Sequence, residues 1–295
     1  MRPMDRTEHT TPQSVMVSVV MAVRNGEKYI TQAIDSILAQ DYDDFELIVV
    51  DDGSSDATIR LLSQIEDCRL RVVQRKHDYV ASLNAGIGAA RGQYIALTDH
   101  DDLMMPHRLQ TQVQLMDAFP NITVCGGNMA LFRNDDITKA RIPQAPPSGM
   151  IDHPLYQMMR GNFINNPTAM IRTSFLRGRG IGYDPLYPFA PDFKMWLDIA
   201  CAGGVFFNIA SPLTYYRLGE TQMTSTCHQE QRRNANDIRL LALRRLILKM
   251  PPRERSEHIY RLYSCLDSMR REGDIIDEDL LHIFYIILGK RMRQE

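Results

Sequence analysis

The stretch Tyr94-Ile95-Ala96-Leu97-Thr98-Asp99-His100-Asp101-Asp102 ends an apolar run in three carboxylates. Carboxylates are hard oxygen donors, and the group Asp99, Asp101 and Asp102 suits Mg²⁺ or Mn²⁺. Mg²⁺ is usually held by one or two carboxylates together with substrate phosphates. The plainer reading is an acidic turn that caps the helix expected from near Pro106. Between the acids, His100 has two readings: a phosphate donor or metal ligand, or a solvated loop histidine. A second acidic pair, Asp51-Asp52, closes the run Phe45 to Val50 and leads into Gly53-Ser54-Ser55-Asp56. Gly53 suits the turn, and Ser54, Ser55 or Asp56 suits a helix cap. Neither explains two acids at a strand end, where a carboxylate can accept a hydrogen bond from a nucleobase N–H. Asp192 follows Pro191 at the start of another apolar-periodic segment, where an N-cap is the plain expectation.

These acids need a scaffold that brings strand ends together. Val15 to Val23 is rich in β-branched residues and predicts a buried parallel strand. Ile30, Ala33, Ile34, Ile37 and Leu38 then recur at helical spacing. The alternation continues through a strand at Phe45 to Val50, a helix around Ile59 to Ile65, and a short strand at Leu70 to Val73. A helix over Val80 to Ala90 and the strand Tyr94 to Leu97 complete it. Such βαβ alternation predicts an α/β fold with a mostly parallel sheet and helices on both faces. In open α/β sheets ligands bind beyond the carboxyl ends of the strands, where both acidic groups fall. No G-x-G-x-x-G follows the first strand and there is no P-loop, so a phosphate would rely on a metal and not on a glycine cradle.

Further on, a helix is expected up to about Phe119, then a strand at Ile122 to Phe132. Residues 133–160 are proline-rich and read as an irregular lid or binding loop. A strand is expected at Asn162 to Arg172, a helix carrying Met195, Trp196, Ile199 and Ala200, and closing strands at Val205 to Ile209 and Leu213 to Leu218. Residues 229–295 change character, being charged and helical. Ile238, Leu241, Ala242, Arg245 and Leu248 share one stripe, and Pro251-Pro252 should end that helix. A last helix is expected from about Glu278. Two readings compete for this region: cover for the core or an oligomer contact, and a basic amphipathic surface for an anionic membrane.

The chain has 295 residues, with Lys+Arg 34 against Asp+Glu 36 and a formal net charge of -2. No global basic field points to nucleic acid. The five cysteines have no C-x-x-C spacing, which argues against a zinc site or a disulfide framework and fits a reducing compartment. Residues 1–14 are polar and lack the apolar core of a signal peptide, so they are expected to be a disordered tail. No apolar run has transmembrane length, and the expected location is the cytoplasm, with the inner membrane face as an extension of that reading.

Taken in order, the motifs resemble the family 2 glycosyltransferases of the GT-A fold over about residues 15–225. The family's opening appears as Val17 to Ile30, and its D-D-G-S-x-D signature as Asp51 to Asp56. The L-N-x-G-I-x-x-A-R-G block spans Leu83 to Asp102 and is followed by Pro106, Arg108, Leu109 and Gln112. N-P-T-x-M-x-R is Asn166 to Arg172, the E-D…L-W helix is Pro191-Asp192 to Trp196, and Y-R-x-H-x-x-Q is Tyr216 to Gln222. The resemblance implies inverting transfer of a sugar from a nucleotide sugar, with UDP as the default, to a hydroxyl of a saccharide or lipid-linked saccharide. The branch it looks most like builds capsule, O-antigen and exopolysaccharide.

It further implies a GT-A domain at 15–228, with a nucleotide-sugar half at 15–130 and an acceptor half at 131–228, before the helical extension. Ala22, Arg24, Glu27, Asp51, Asp52, Lys76, Asp99 and His100 would contact the nucleotide sugar. Asp99 and Asp101 would hold Mn²⁺ or Mg²⁺, Asp192 would be the general base, and Asn166, Trp196 and Arg217 would lie on the acceptor side. The chain departs from the pattern at Ala22 (usually Pro), Arg24 (usually Tyr), His77-Asp78-Tyr79 (usually Asn-x-Gly), Pro191 (usually Glu) and Gly219 (usually His). The Gly219 departure weakens the expected metal site, with His100 or His228 as substitutes. Two rivals remain: a nucleotidyltransferase, which would want a glycine-rich phosphate loop near residue 24, and a non-catalytic sugar-nucleotide-binding or scaffold protein of the same fold.

Overall fold

The computed structural model describes residues 15–133, 135–143, 147–219, 227–249, 264 and 268. The elements run β1 (Val17–Val23), α1 (Ile30–Leu38), β2 (Phe45–Asp51), α2 (Thr58–Leu62), β3 (Leu70–Gln74), α3 (Tyr79–Ala89) and β4 (Tyr94–Asp99). They continue β5 (Leu103–Met104), α4 (Arg108–Ala118), β6 (Val124–Phe132), β7 (Gly149–Met150), α5 (Pro154–Arg160), β8 (Met170–Arg172) and α6 (Thr173–Arg177). Last come α7 (Pro191–Cys201), β9 (Phe206–Arg217) and α8 (His228–Lys249).

One sheet holds the described strands in the order β3-β2-β1-β4-β8-β6-β9-β5, with β7 added on β9. The first four are mutually parallel. Beyond β4 the sheet is mixed: β8 runs antiparallel to β4 and β6, while β6 and β9 are parallel. The sheet is continuous across the expected division at residue 130, which falls inside β6.

Strand side chains alternate between faces with a period of two, and both faces are covered here. Val17, Val19, Met21, Leu47, Val49 and Ala96 pack with α1 and α4 residues such as Ile34 and Leu109. Val20, Ile48, Val50, Ile95 and Leu97 pack with α3 and α7 residues such as Leu83, Met195 and Trp196. Ile238 and Ala242 of α8 are fully buried in that second cluster, so this part of α8 covers the core, as one of the two readings of the region had it. Arg245, placed on the same stripe, is exposed.

Four local expectations differ from the structure. The stretch 133–160 contains β7 and the short helix α5, whose first residue, Pro154, is favoured at a helix start. The Asn162 to Arg172 strand shrinks to Met170–Arg172, preceded by a 3₁₀ turn over Asn166–Thr168. The two closing strands are one, β9, whose register against β6 shifts around Asn128. Asp192 is not an N-cap: Ala190 holds that position, and Pro191 and Asp192 lie in the first turn of α7. The tail at 1–14, Glu220 to Gln222 of the Y-R-x-H-x-x-Q segment, Pro251-Pro252 and the helix from Glu278 lie outside the described residues.

Candidate active site

The parallel register sets the site. Ala22 stands level with Val50 and Asp99, and Val23 with Asp51, so β1, β2 and β4 end together. From these ends the chain makes two turns that interlock. Asn25, at φ 52, accepts from the Ser55 backbone N–H at 2.8 Å and its own N–H donates to Ser54 Oγ at 2.9 Å. Glu27 Oε2 accepts from the Ala57 N–H at 2.9 Å, and the Glu27 N–H donates to Asp56 at 3.0 Å. The Glu27 carboxylate, expected to line a nucleotide pocket, therefore staples the β1–α1 turn to the β2–α2 turn.

Asp52 is 2% exposed and already well partnered. Its Oδ1 accepts from the Asp78 N–H and the Ser82 hydroxyl, both at 2.7 Å. Its Oδ2 lies 2.7 Å from His77 Nδ1. Arg24 Nη1 donates to His77 Nε2 at 3.0 Å, so Nε2 is the acceptor and Nδ1 carries the proton that is given to Asp52. The group expected to read a base thus fixes the start of α3, and the Arg24–His77 pair forms its solvent edge. Asp51 accepts from the Ser54 N–H through Oδ2, while its Oδ1 is buried without a partner. Lys76 is exposed on the connection between β3 and α3.

Asp99 ends β4, and its surroundings raise its carboxyl to about 7. Burial is the main cause, followed by the charges of Asp101 and then Asp192, with Arg108 pulling the other way. Asp192 is likewise raised, by burial, and held down by the Phe193 N–H and by Asn162 Nδ2, which donates to its Oδ2 at 2.9 Å. Asp192 keeps partial solvent exposure at its recessed position. The acids at 99, 101 and 192, distant in sequence, thus share one electrostatic environment.

The loop between Asp99 and β5 is built from beneath. Arg217 is 3% exposed, sandwiched between the rings of Tyr29 at 4.0 Å and Phe132 at 4.6 Å. It donates from Nε to the Asp101 carbonyl at 2.7 Å, from Nη2 to Gln32 at 3.0 Å, and pairs with Asp135. Its backbone N–H donates to Asp102 Oδ1 at 2.9 Å. Arg217 was expected on the acceptor side; its donors are instead spent inside the protein, holding the acidic loop. Asp102 is 1% exposed, its Oδ2 lacks a partner and its carboxyl is raised by burial and by Asp99 and Asp101.

Arg108 is fully buried and donates to the carbonyls of Leu97 at 2.8 Å and Pro167 at 2.6 Å, tying the end of β4 to the 3₁₀ turn. Trp196 is also fully buried, one turn behind Asp192, with its Nε1 unpartnered, so it does not offer a surface to an acceptor. Asn166 is half-buried and its Oδ1 is unpartnered. His100 packs against the Gly26 turn, where a Cβ would come within 2.8 Å of its ring, and burial lowers its pKa.

Among the described residues no group of three His, Cys, Asp or Glu side chains could hold a metal ion by itself. Asp99 and Asp101 still fit a hard divalent cation: both are oxygen donors, and the charge of Asp101 beside the buried Asp99 carboxyl opposes the ionisation of Asp99 that a cation would favour. Asn162 and Arg108 carried no functional weight in the sequence. The first sat at a polar strand start, and the second was only one residue of a matched motif.

The model of glycosyl transferase family 2 matches residues 18–181. The chain belongs to that family. Among curated proteins it is 29% identical over 241 residues to an "uncharacterized glycosyltransferase" of Haemophilus influenzae, covering 76% of this chain and 72% of that one. It is 36% identical over 167 residues to the putative glycosyltransferase EpsE of Bacillus subtilis, over 55% of this chain and 58% of EpsE. It is 30% identical over 199 residues to the succinoglycan biosynthesis protein ExoO of Rhizobium meliloti, over 64% of this chain and 56% of ExoO.

Among solved structures, S. aureus TarS 1-349 in complex with UDP-GlcNAc superposes with a TM-score of 0.62 at 19% identity, over 81% of this chain and 77% of that one. The mannosyltransferase PcManGT from Pyrobaculum calidifontis, in complex with GDP-Man and Mn²⁺, gives 0.57 at 17% identity, over 92% and 79%. These likenesses show the GT-A fold. Among the described residues no helix is long and apolar enough to cross a membrane.

Proposed function

We propose that this family 2 member is an inverting glycosyltransferase that moves a sugar from a nucleoside-diphosphate sugar to a hydroxyl of a saccharide or lipid-linked saccharide during cell-surface polysaccharide synthesis. The observation that carries the reading is the shared environment of Asp192 and the Asp99/Asp101 pair. A base and a diphosphate-binding group on opposite sides of one cleft is what single-displacement transfer requires. ExoO, by its name a succinoglycan biosynthesis protein, supports the pathway class, and the UDP-GlcNAc and GDP-Man neighbours support the donor class.

Asp99 and Asp101 would hold Mn²⁺ or Mg²⁺, which when bound supplies charge neutralisation for the departing diphosphate. The rest belongs to the chain's own side chains. Asp192 would take the proton of the acceptor hydroxyl as it attacks. Burial raises its proton affinity toward that task, and Asn162 fixes one of its oxygens. Arg217 and Arg108 hold the acidic loop and the end of β4 so that Asp99 and Asp101 need not reorganise. The Arg24–His77 edge supplies the polar rim of a nucleotide pocket.

The test is nucleotide release from a panel of UDP- and GDP-sugars with Mn²⁺ and saccharide acceptors, with the anomeric configuration of the product read by NMR. Inverted product supports the reading. Retained configuration, or donor binding without any transfer, replaces it with a retaining enzyme or a sugar-nucleotide-binding protein.

A further inference from the structure

Two tyrosines of one apolar cluster, Tyr79 and Tyr183, lie within electrostatic range of both Asp99 and Asp192, and neither has a part in the chemistry above. Tyr79 is the first residue of α3, directly after the cap Asp78. Its position is fixed because the Asp78 N–H and the His77 ring both bind Asp52. The residue is half-buried against the apolar cluster beneath the sheet ends, and its hydroxyl feels the charges of Asp99, Asp192, Asp52 and Asp101. Tyr183 comes from the loop that leads into α7. Asn84 of α3 clasps its backbone in both directions, accepting from the Tyr183 N–H and donating to its carbonyl, each at 2.8 Å. Its hydroxyl feels the charges of Asp192 and Asp99.

Tyr183 is 4% exposed and its buried hydroxyl has no hydrogen-bond partner. An unmade buried hydrogen bond is costly, and a bound polar group can supply the partner. The group that would stand between a diphosphate site and a base facing the acceptor is the sugar in transit. Sugar rings present hydroxyls to polar partners and C–H faces to aromatic rings. Burial amid carboxylates keeps both phenols protonated, so each can donate to a sugar oxygen.

We propose that Tyr79 and Tyr183 are specificity-determining residues for the transferred sugar, Tyr183 giving its unpartnered hydroxyl to a sugar oxygen and Tyr79 setting the size of the space with its ring. Tyr79 stands where the family pattern named above has glycine, so its ring occupies space that the pattern leaves open. The inference rests on the glycosyltransferase reading above.

The experiment compares full-length wild type with Tyr183→Phe, Tyr79→Phe and Tyr79→Gly. Calorimetry with Mn²⁺ measures the affinity of UDP and GDP, and of the UDP- and GDP-sugars in the panel. The phenylalanine variants keep the ring and the packing, and free nucleotide affinity reports the intact fold. The expected result is unchanged nucleotide affinity, an about tenfold loss for the preferred nucleotide sugar in Tyr183→Phe, from one lost hydrogen bond, and a reordered sugar panel in Tyr79→Gly. A sugar-to-nucleotide affinity ratio that stays at the wild-type value in all three variants overturns the inference and leaves the glycosyltransferase reading standing. A wild type that binds none of these nucleotides or nucleotide sugars overturns both.

Discussion

Asn162 Nδ2 donates to Asp192 Oδ2 at 2.9 Å across 30 residues of sequence, from an exposed position beside α5 to the first turn of α7. The bond favours the charged carboxylate and opposes the burial that raises Asp192. A base works only when deprotonated, so activity falls as pH drops through its pKa in the folded protein. Removing the bond in Asn162→Ala pushes that pKa further up. The acidic limb of the kcat–pH profile should therefore move to higher pH. An unmoved limb would separate Asn162 from the base.

Arg217 bridges α1, the acidic loop and β6 from a buried position. Arg217→Met keeps an apolar stem between Tyr29 and Phe132 but strips the donors to the Asp101 carbonyl and Gln32. Breaking such a buried charged network costs about 3 kcal/mol. Urea denaturation should register that loss, and Mn²⁺ affinity measured with UDP present should fall with it.

Asp99 links stability to pH. Its carboxyl lies at about 7 against an ordinary 3.8, so between these values the folded chain binds more protons than the unfolded one. Asp102 and Asp192 are shifted in the same direction. Their contribution is fully present at low pH and is lost as pH rises through the folded pKa. A divalent cation held by Asp99 and Asp101 would take the place of those protons. The rise in Tm on adding Mn²⁺ should be larger at about pH 8 than at about pH 5.

Gly92 sits where the chain turns into β4. A Cβ there would lie 2.5 Å from the Ser18 N and 2.8 Å from the Val17 carbonyl carbon, both backbone atoms that cannot swing away. Gly92→Ala should destabilise the fold by about 2 kcal/mol, measured by thermal unfolding, with little change in KM for the donor.

The strand–helix alternation and both acidic strand ends were legible because β-branched runs, helical spacing and clustered acids are local signals. Asp192 was legible as a helix-start acid, though Ala190 proved to be the cap. What local signals do not carry is direction of burial. Trp196 and Arg217 were expected to face an acceptor, but tertiary packing turned one into the core and the other beneath the acidic loop. Asp52 lost its free lone pairs to His77, Asp78 and Ser82, contacts that arise only when β2 and α3 meet. The seven-residue helix α5 is too short for periodicity to announce itself.

The central claim is that Asp192 acts as the base opposite the Asp99/Asp101 pair, and Asp192→Asn tests it most directly because the amide is nearly isosteric and cannot take the proton. Under saturating donor, Mn²⁺ and acceptor, the variant should bind the nucleotide sugar as wild type does while kcat for nucleotide release falls by about a hundredfold or more. Equal kcat for wild type and Asp192→Asn would contradict the account.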